Sequence, residues 1–543
     1  MAQESVENLL SRFEKANANK ELYMDTYEAA YRYANPVRNI FHNKTKGDPK
    51  LNGMYDSTGI RSLYAWVTNM QNAITPPFKR WCMLRPGPGL KKVLKDAGAD
   101  YVYEQIEKIL ETATERGFSI LNSNNFNTVV PAFYADLAAG TAVLLTIENP
   151  IEDPIPMRFV AVPLEEVALE AGPSGTVGAT FRKSKVTAQN IEKTWPDAKI
   201  PFEVGEKIKN DPTCEICILE CFYEKKKKNY YDVIVEDKKD RIVTRVFDYD
   251  PFIITRLNPD PVGVYGYGPL VMATPDIRTL NKAKELMLRS SQLSVYGVYT
   301  VADNDVVNPN TLKIQPNTFI PVSRNSGPNG PSIAPLPVAG NFNAQQFQIQ
   351  ELQANVREML FDDKLPSDTG PVRSATEIVE RIQNIRKTTG AFFGPINQEF
   401  IQHLWQNILQ ILVTRGEINL DVQLEDGSTL SIPEIANIDN FFVEIDVLSP
   451  IAKEQDLEDV QTFVQTYELV AQLLGPEQAQ MNFKVEDIAG WLSEKAGIPT
   501  DLLRSAKEKE EIMFQQQQAQ QMQMLAEQEQ QAEQPQPEQQ PVL

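Results

Sequence analysis

The chain has 543 residues, of which 42% are hydrophobic and 23% charged, enough for two to four domains with ordinary buried cores. Lys and Arg total 53 against 73 Asp and Glu, a formal charge of −20, which excludes a protein that grips nucleic acid over a broad basic surface but not one that lets it pass. No apolar run reaches about eighteen residues and the segment Met1 to Glu7 lacks a signal peptide's basic and apolar regions, so no membrane span and a cytoplasmic setting are expected.

Apolar residues recur at helical spacing from Glu4 to Tyr33 (Val6, Leu9, Leu10, Phe13, Tyr23, Tyr27, Ala30, Tyr31), which predicts one amphipathic helix or a pair ended by Asn35-Pro36. A second helix follows Asp56-Ser57-Thr58, with Ile60, Leu63, Trp66, Val67 and Met70 on one face and Thr75-Pro76-Pro77 closing it. A third is expected from Asp100 to Arg116, with Gly117 as its C-cap.

Between Ala142 and Asp250 the period changes to two. The runs Ala142 to Ile147, Arg158 to Val162, Cys214 to Tyr223, Tyr230 to Val235 and Arg241 to Phe247 read as an antiparallel β region. Thr274 with Pro275 then reads as an N-cap and first helical position, starting a helix that runs to about Val295 with Ile277, Leu280, Ala283 and Met287 along one stripe.

A Pro-rich insert, 297–341, follows, with short β-prone pieces at Thr311 to Ile314 and Thr318 to Val322. The next helix is expected from Asn343 to Phe361, with Ile349, Leu352, Val356 and Met359 on one side and Leu365-Pro366 ending it. A long helix from Ala375 to about Thr414 should bend at Gly390 and Gly394-Pro395. Beyond it, Asn419 to Leu424 and Phe441 to Val447 read as strands, and Lys453 to Leu474 and Val485 to Ala496 as helices. The Gln-rich end from Phe514 has the composition of a disordered segment. The fold class is α+β, predominantly helical.

Little in this pattern carries chemistry. Cys214, Cys217 and Cys221 have near-zinc spacing, but on a strand Cys214 would face away from the other two. With Cys82 they are too few for a secreted disulfide framework, which fits a reducing compartment. His42 and His403 sit in no metalloprotease or nucleophile-elbow motif and read as ordinary core or surface residues. Gly263-Val-Tyr-Gly-Tyr-Gly268-Pro269 lacks the Lys-Ser/Thr of a phosphate loop, and Pro269 interrupts the helix start such a loop requires. Lys225 to Lys228 reads as a solvated hairpin tip. Ser374 and Glu377, in Ser-Ala-Thr-Glu, match a capping box, a helix cap and not an active site. No catalytic, cofactor or metal residues are expected, and the chain reads as a structural protein, not an enzyme.

Four motifs occur together and in order: Tyr55-Asp-Ser-Thr-Gly59, Thr75-Pro-Pro-Phe-Lys-Arg-Trp-Cys-Met-Leu-Arg85, Tyr265-Gly-Tyr-Gly-Pro-Leu270 and Arg373-Ser-Ala-Thr-Glu-Ile378. In these motifs and in length the chain resembles the head-to-tail connector, or portal, family of short-tailed, T7-like phages. The resemblance implies a portal fold: a wing over 1–265 and again over 374–450 with the long bent helix, stem helices at 266–296 and 342–365, and a clip at 297–341. It also implies a tunnel loop at 366–373, a helical crown or barrel at 451–513 and a tail at 514–543.

The function implied is a ring of twelve subunits at one capsid vertex, through which double-stranded DNA is packaged and later ejected. Its partners would be the terminase large subunit during packaging and tail or adaptor proteins afterwards, with major capsid, scaffolding and internal core proteins nearby and no membrane. It would be located in the virion, and in the host cytoplasm during assembly. Twelve stem helices at about 10 Å spacing give a ring of axes roughly 38 Å across, leaving about 28 Å clear. At that clearance the sign of the lining matters, and the residues expected near DNA are mixed: Lys282, Lys284 and Arg289 on the stem, and Lys364, Asp368, Thr369, Gly370 and Arg373 in the loop. The alternative function is a head-tail adaptor that never takes terminase, although such a protein has little need of a channel-spanning helix hairpin.

Overall fold

A computed structural model describes residues 4–38, 51–90, 92, 100–226, 228–296, 299–301, 333–335, 342–362, 394–418, 421–423, 429–431, 438, 441–447, 463–470 and 472–473. The chain divides into two compact units, Met1–Ser449 and Pro450–Leu543. In the second, the described residues are helical, with Phe463 and Tyr467 stacked one turn apart.

The first unit opens on a single helix, Val6–Ala34, begun where the Ser5 hydroxyl accepts from the N–H of Asn8. Its first half lays Leu9, Phe13 and Ala16 on Phe181, Leu219, Cys221 and Tyr223 of a five-stranded sheet. The strands of that sheet are β4 (Val167–Ala171), β5 (Val177–Thr187), β6 (Glu215–Lys225), β7 (Lys228–Val235) and β8 (Asp240–Phe247). They run in sequence order, each antiparallel to the next.

Trp195 covers the other face of this sheet, donating to the Tyr231 hydroxyl, which in turn donates to Glu220 at 2.6 Å. The hairpin between β6 and β7 closes at the Lys225–Lys228 pair, with Lys226 left-handed at φ 53°. The lysine run is therefore a turn, as its sequence suggests. Cys214 precedes β6, while Cys217 and Cys221 share the face turned to the first helix.

A smaller sheet, in the order β3-β2-β9, pairs β2 (Thr141–Glu148) with β3 (Met157–Val162) and β9 (Phe252–Arg256). The Phe126–Ala139 helix packs on it, burying Phe126 against Phe159. Far apart in sequence, β1 (Met83–Pro86) pairs with β14 (Val443–Asp446), and Gly87 and Gly89 extend the pairing by donating to Phe442 and Phe441.

Two long helices, Pro269–Tyr296 and Phe342–Met359, lie side by side. The first, at 28 residues, is about 42 Å long. Beyond their paired ends, β10 (Tyr299–Val301) and β11 (Ile333–Pro335) form an antiparallel pair that closes the base of the insert. The expected short strands at 311–314 and 318–322 lie outside the described residues. Another short pair joins β12 (Asp421–Gln423) to β13 (Thr429–Ser431).

Four sequence expectations need correction. The third helix does not end at Gly117 but continues from Asp100 to Ser123. Gly117 is there because a Cβ would lie 2.5 Å from the Trp405 ring, so its missing side chain serves packing, not capping. Thr274-Pro275 does not begin the next helix, which starts at Pro269 and carries Pro275 inside it. Thr274 instead donates its hydroxyl to Leu270, and Pro269 occupies the first turn, where its lacking N–H costs nothing.

The Phe342–Met359 helix ends well before Leu365-Pro366, and Met359 is exposed while Leu360 is buried. The terminator is a left-handed Phe361 (φ 53°). The N–H of Asp362 bonds to Arg357 and that of Phe361 to Glu358, the paired bonds of a Schellman turn. Gly394 and Pro395 lie at the start of a described helical stretch whose next turn, Asn397–Ile401, is a π turn. There Glu399 accepts from the backbone and guanidinium of Arg256. The rest of the expected long helix, Ala375 to 393, lies outside the described residues.

Candidate functional site

The middle of the two-helix element is organised by the first motif, Tyr55 to Gly59. Asp56 Oδ1 accepts from the N–H of Thr58 at 2.7 Å, starting the Thr58–Ile74 helix. Its Oδ2 lies 3.0 Å from both Lys284 Nζ on the first long helix and Gln353 Nε2 on the second. Asn281 Oδ1 accepts from the N–H of Tyr55 and of Asp56, and its amide donates to Gly53.

Burial opposes charge on Asp56, but bonds from Thr58, Lys284 and Gln353 outweigh it and hold the carboxyl below the usual carboxylate range. At the end of the second long helix, Ser62 donates to the buried Asp362 at 2.8 Å and Asn69 donates to the Phe361 carbonyl. One loop and one helix thus fix the register of the hairpin's two arms. A cavity of about 490 Å³ lies between these elements, with Asp56, Arg61, Lys284 and Arg357 on its walls.

The third motif is a backbone crossing. Gly140 (φ 133°), Gly266 and Gly268 come so close that a Cβ on Gly266 would lie 2.3 Å from the Leu257 carbonyl oxygen and 2.4 Å from that of Gly140. Leu257 donates to Gly140 at 2.8 Å, Gly268 to Ala139 at 2.9 Å and Gly266 to the Thr141 hydroxyl at 2.8 Å. Tyr27 caps the crossing by donating to the Gly266 carbonyl. These glycines anchor the root of the first long helix to the β2–β9 sheet, and the backbone groups at the crossing are bonded to one another instead of facing a phosphate.

In the second motif Thr75 bonds the Tyr134 hydroxyl at 3.0 Å, and Trp81 packs edge-on against Phe118 and Trp405. Arg85 pairs with Asp446 across β1 and β14. The contacts in these three clusters join elements of the fold, and among the described residues no three His, Cys, Asp or Glu side chains gather as a metal site.

Of the residues expected near DNA, Lys282 and Arg289 are exposed and both pair with Glu285, at 2.9 and 2.5 Å. Lys284 is turned away from them, onto Asp56. Lys364, Asp368, Thr369, Gly370 and Arg373, and the capping pair Ser374 and Glu377, lie outside the described residues. Sequence reasoning missed the contacts of Asp56, and missed Asn281, Gln353 and Gly140, whose partners are far away in sequence. The one local signal was Asp-Ser-Thr, which reads only as a helix start.

A family model described as bacteriophage head to tail connecting protein matches residues 6–503, which include all three motifs described above and both long helices. The chain belongs to this family. No curated protein matches it. As a phage connector it is a virion component that interacts with capsid and tail. Among the described residues no helix of the connector is long and apolar enough to cross a membrane.

Proposed function

We propose that the connector assembles as a twelve-membered portal ring at one capsid vertex, of the kind found in short-tailed, T7-like phages. In this reading the ring conducts double-stranded DNA inward during packaging and outward at ejection. The Pro269–Tyr296 and Phe342–Met359 helices form the channel-spanning stem, the 297–341 insert docks the terminase and later tail proteins, and the protein itself catalyses nothing.

The observation that carries this reading is the pair of long helices locked in register by Asp56 partway along their length, at Lys284 and Gln353, with the insert emerging between their Tyr296 and Phe342 ends through the β10–β11 pair. An element about 42 Å long, rooted in a sheet by a rigid glycine crossing, suits a wall through which a duplex slides under load. An adaptor that only joins two surfaces has no use for that length. Electron microscopy of the purified chain tests the proposal: rings of twelve with an axial hole are expected, and a compact monomer at all concentrations would refute it.

A further inference from the structure

The two long helices carry opposite charge on their outward faces. On Phe342–Met359, Ile349, Val356 and Leu360 are buried, while Phe347, Glu351, Ala354 and Glu358 recur at i, i+4, i+7 and i+11 on the opposite, exposed face. On Pro269–Tyr296, Ile277 and Leu280 are buried, while Arg278, Lys282, Leu286 and Arg289 form an exposed stripe at i, i+4, i+8 and i+11. Each stripe also exposes a large apolar side chain, Phe347 at 68% and Leu286 at 52%.

Arg278, Lys282 and Leu286 of this stripe line a groove between this helix and the N-terminal helix, whose far wall includes Asp25, Ala29 and Tyr33. Arg278, Glu351 and Glu358 have no ion-pair partner among the described residues. Lys282 and Arg289 share the single Glu285, so this trio keeps one net positive charge.

The heights of the two stripes match. Lys284 and Gln353 both bond Asp56 Oδ2, which sets them at the same level to within about one helical turn. Counting away from that level in opposite chain directions puts Glu358 beside Thr279 and Glu351 beside Leu286. Glu358 is then about 1.5 Å in height from Arg278, and Glu351 about 4.5 Å from Arg289 and about 6 Å from Lys282, all within reach of long side chains. A rotation about an axis parallel to the helices preserves height, so it brings the acidic stripe of one copy level with the basic stripe of the next.

We infer that the acidic face of Phe342–Met359 docks into the basic groove beside Pro269–Tyr296 of a second copy of this chain. The contact is heterologous, which is the kind that generates rings. Phe347 and Leu286 supply the apolar part, and Glu351 and Glu358 select the register against Arg278, Lys282 and Arg289. Lys282 and Arg289 then serve the neighbouring subunit and not DNA. The inference rests on the ring reading but assigns its interface residues.

Two charge-reversal variants test it: Glu351→Lys with Glu358→Lys, and Arg278→Glu with Lys282→Glu. Native mass spectrometry and sedimentation at fixed salt would measure assembly, and far-UV circular dichroism would check folding. Each variant alone juxtaposes like charges and should need at least tenfold more protein to half-assemble. Mixed in equal amounts, the two should form alternating rings, and the fourfold variant in one chain should assemble alone. Folded variants that assemble like the parent, or a mixture that stays apart, would overturn the inference while leaving the ring reading intact. A parent chain that never assembles would overturn both.

Discussion

Replacing Gly266 with Ala tests whether the glycine crossing anchors the first long helix. The new methyl would lie 2.3 Å from the Leu257 carbonyl oxygen and 2.4 Å from that of Gly140, and both obstacles are backbone, so no side chain can swing aside. Opening the crossing to about 3.4 Å stretches the bonds from Leu257 to Gly140, from Gly266 to Thr141 and from Gly268 to Ala139. At about 1 kcal/mol for each buried bond, plus roughly 1–3 kcal/mol of overpacking, the variant should lose about 4–6 kcal/mol. That is a large part of the roughly 5–15 kcal/mol that holds a domain folded. Urea unfolding followed by tryptophan fluorescence should show a much lower midpoint. Gly205→Ala, where a Cβ meets only Ile200 at 4.0 Å inside the Phe202–Asn210 helix, should be neutral or slightly stabilising. A Gly266→Ala midpoint within experimental error of the parent would refute the reasoning.

Three further outcomes follow from the same contacts. Asp56→Ala removes a helix-starting bond and two links to the long helices and should cost about 2–3 kcal/mol at neutral pH. Because the folded Asp56 carboxyl is held below its usual value, that difference should be constant from pH 6 to 8 and fade only as pH falls below about 4, which urea titrations at each pH would show. Burial pushes the Asp250 carboxyl up to about 8, against a single bond from the Phe252 N–H. Between about pH 4 and pH 8 the unfolded chain binds fewer protons there than the folded one, so stability falls as pH rises. Asp250→Asn should therefore raise the melting temperature progressively from pH 5 to pH 8, and an unchanged difference across that range would contradict the assignment. Gly117→Ala, which sets a methyl 2.5 Å from the buried Trp405 ring, should cost about 1–3 kcal/mol and change the fluorescence of the Trp81–Phe118–Trp405 cluster.

What could be read from sequence was what is local. The period-two runs located β2, β3, β6, β7 and β8 to within a few residues, and the stripe Ile277, Leu280, Ala283 and Met287 marked the first long helix. Gly117 and Pro275 were misread because their local meanings, helix stop and helix start, were overridden. A tryptophan nearly three hundred residues away needed the space at Gly117, and a helix begun at Pro269 runs on through Pro275. The Asp56 node was invisible for the same reason, since its partners Lys284 and Gln353 come from other elements. Phe361 was unreadable because a left-handed turn there would ordinarily announce itself with Gly or Asn.

The pairing of β1 with β14 has a consequence for synthesis. Met83 to Pro86 leave the ribosome more than three hundred residues before Asp446 to Val443 arrive to pair with them. At roughly 5–20 residues per second, that edge waits for about twenty seconds to a minute without its partner strand. A chain broken off anywhere before Val443 can form its hairpins but cannot close this sheet. A nascent connector is therefore exposed to chaperones and proteases for most of its translation, and the late strand acts as a completeness check before a subunit becomes available to build a virion.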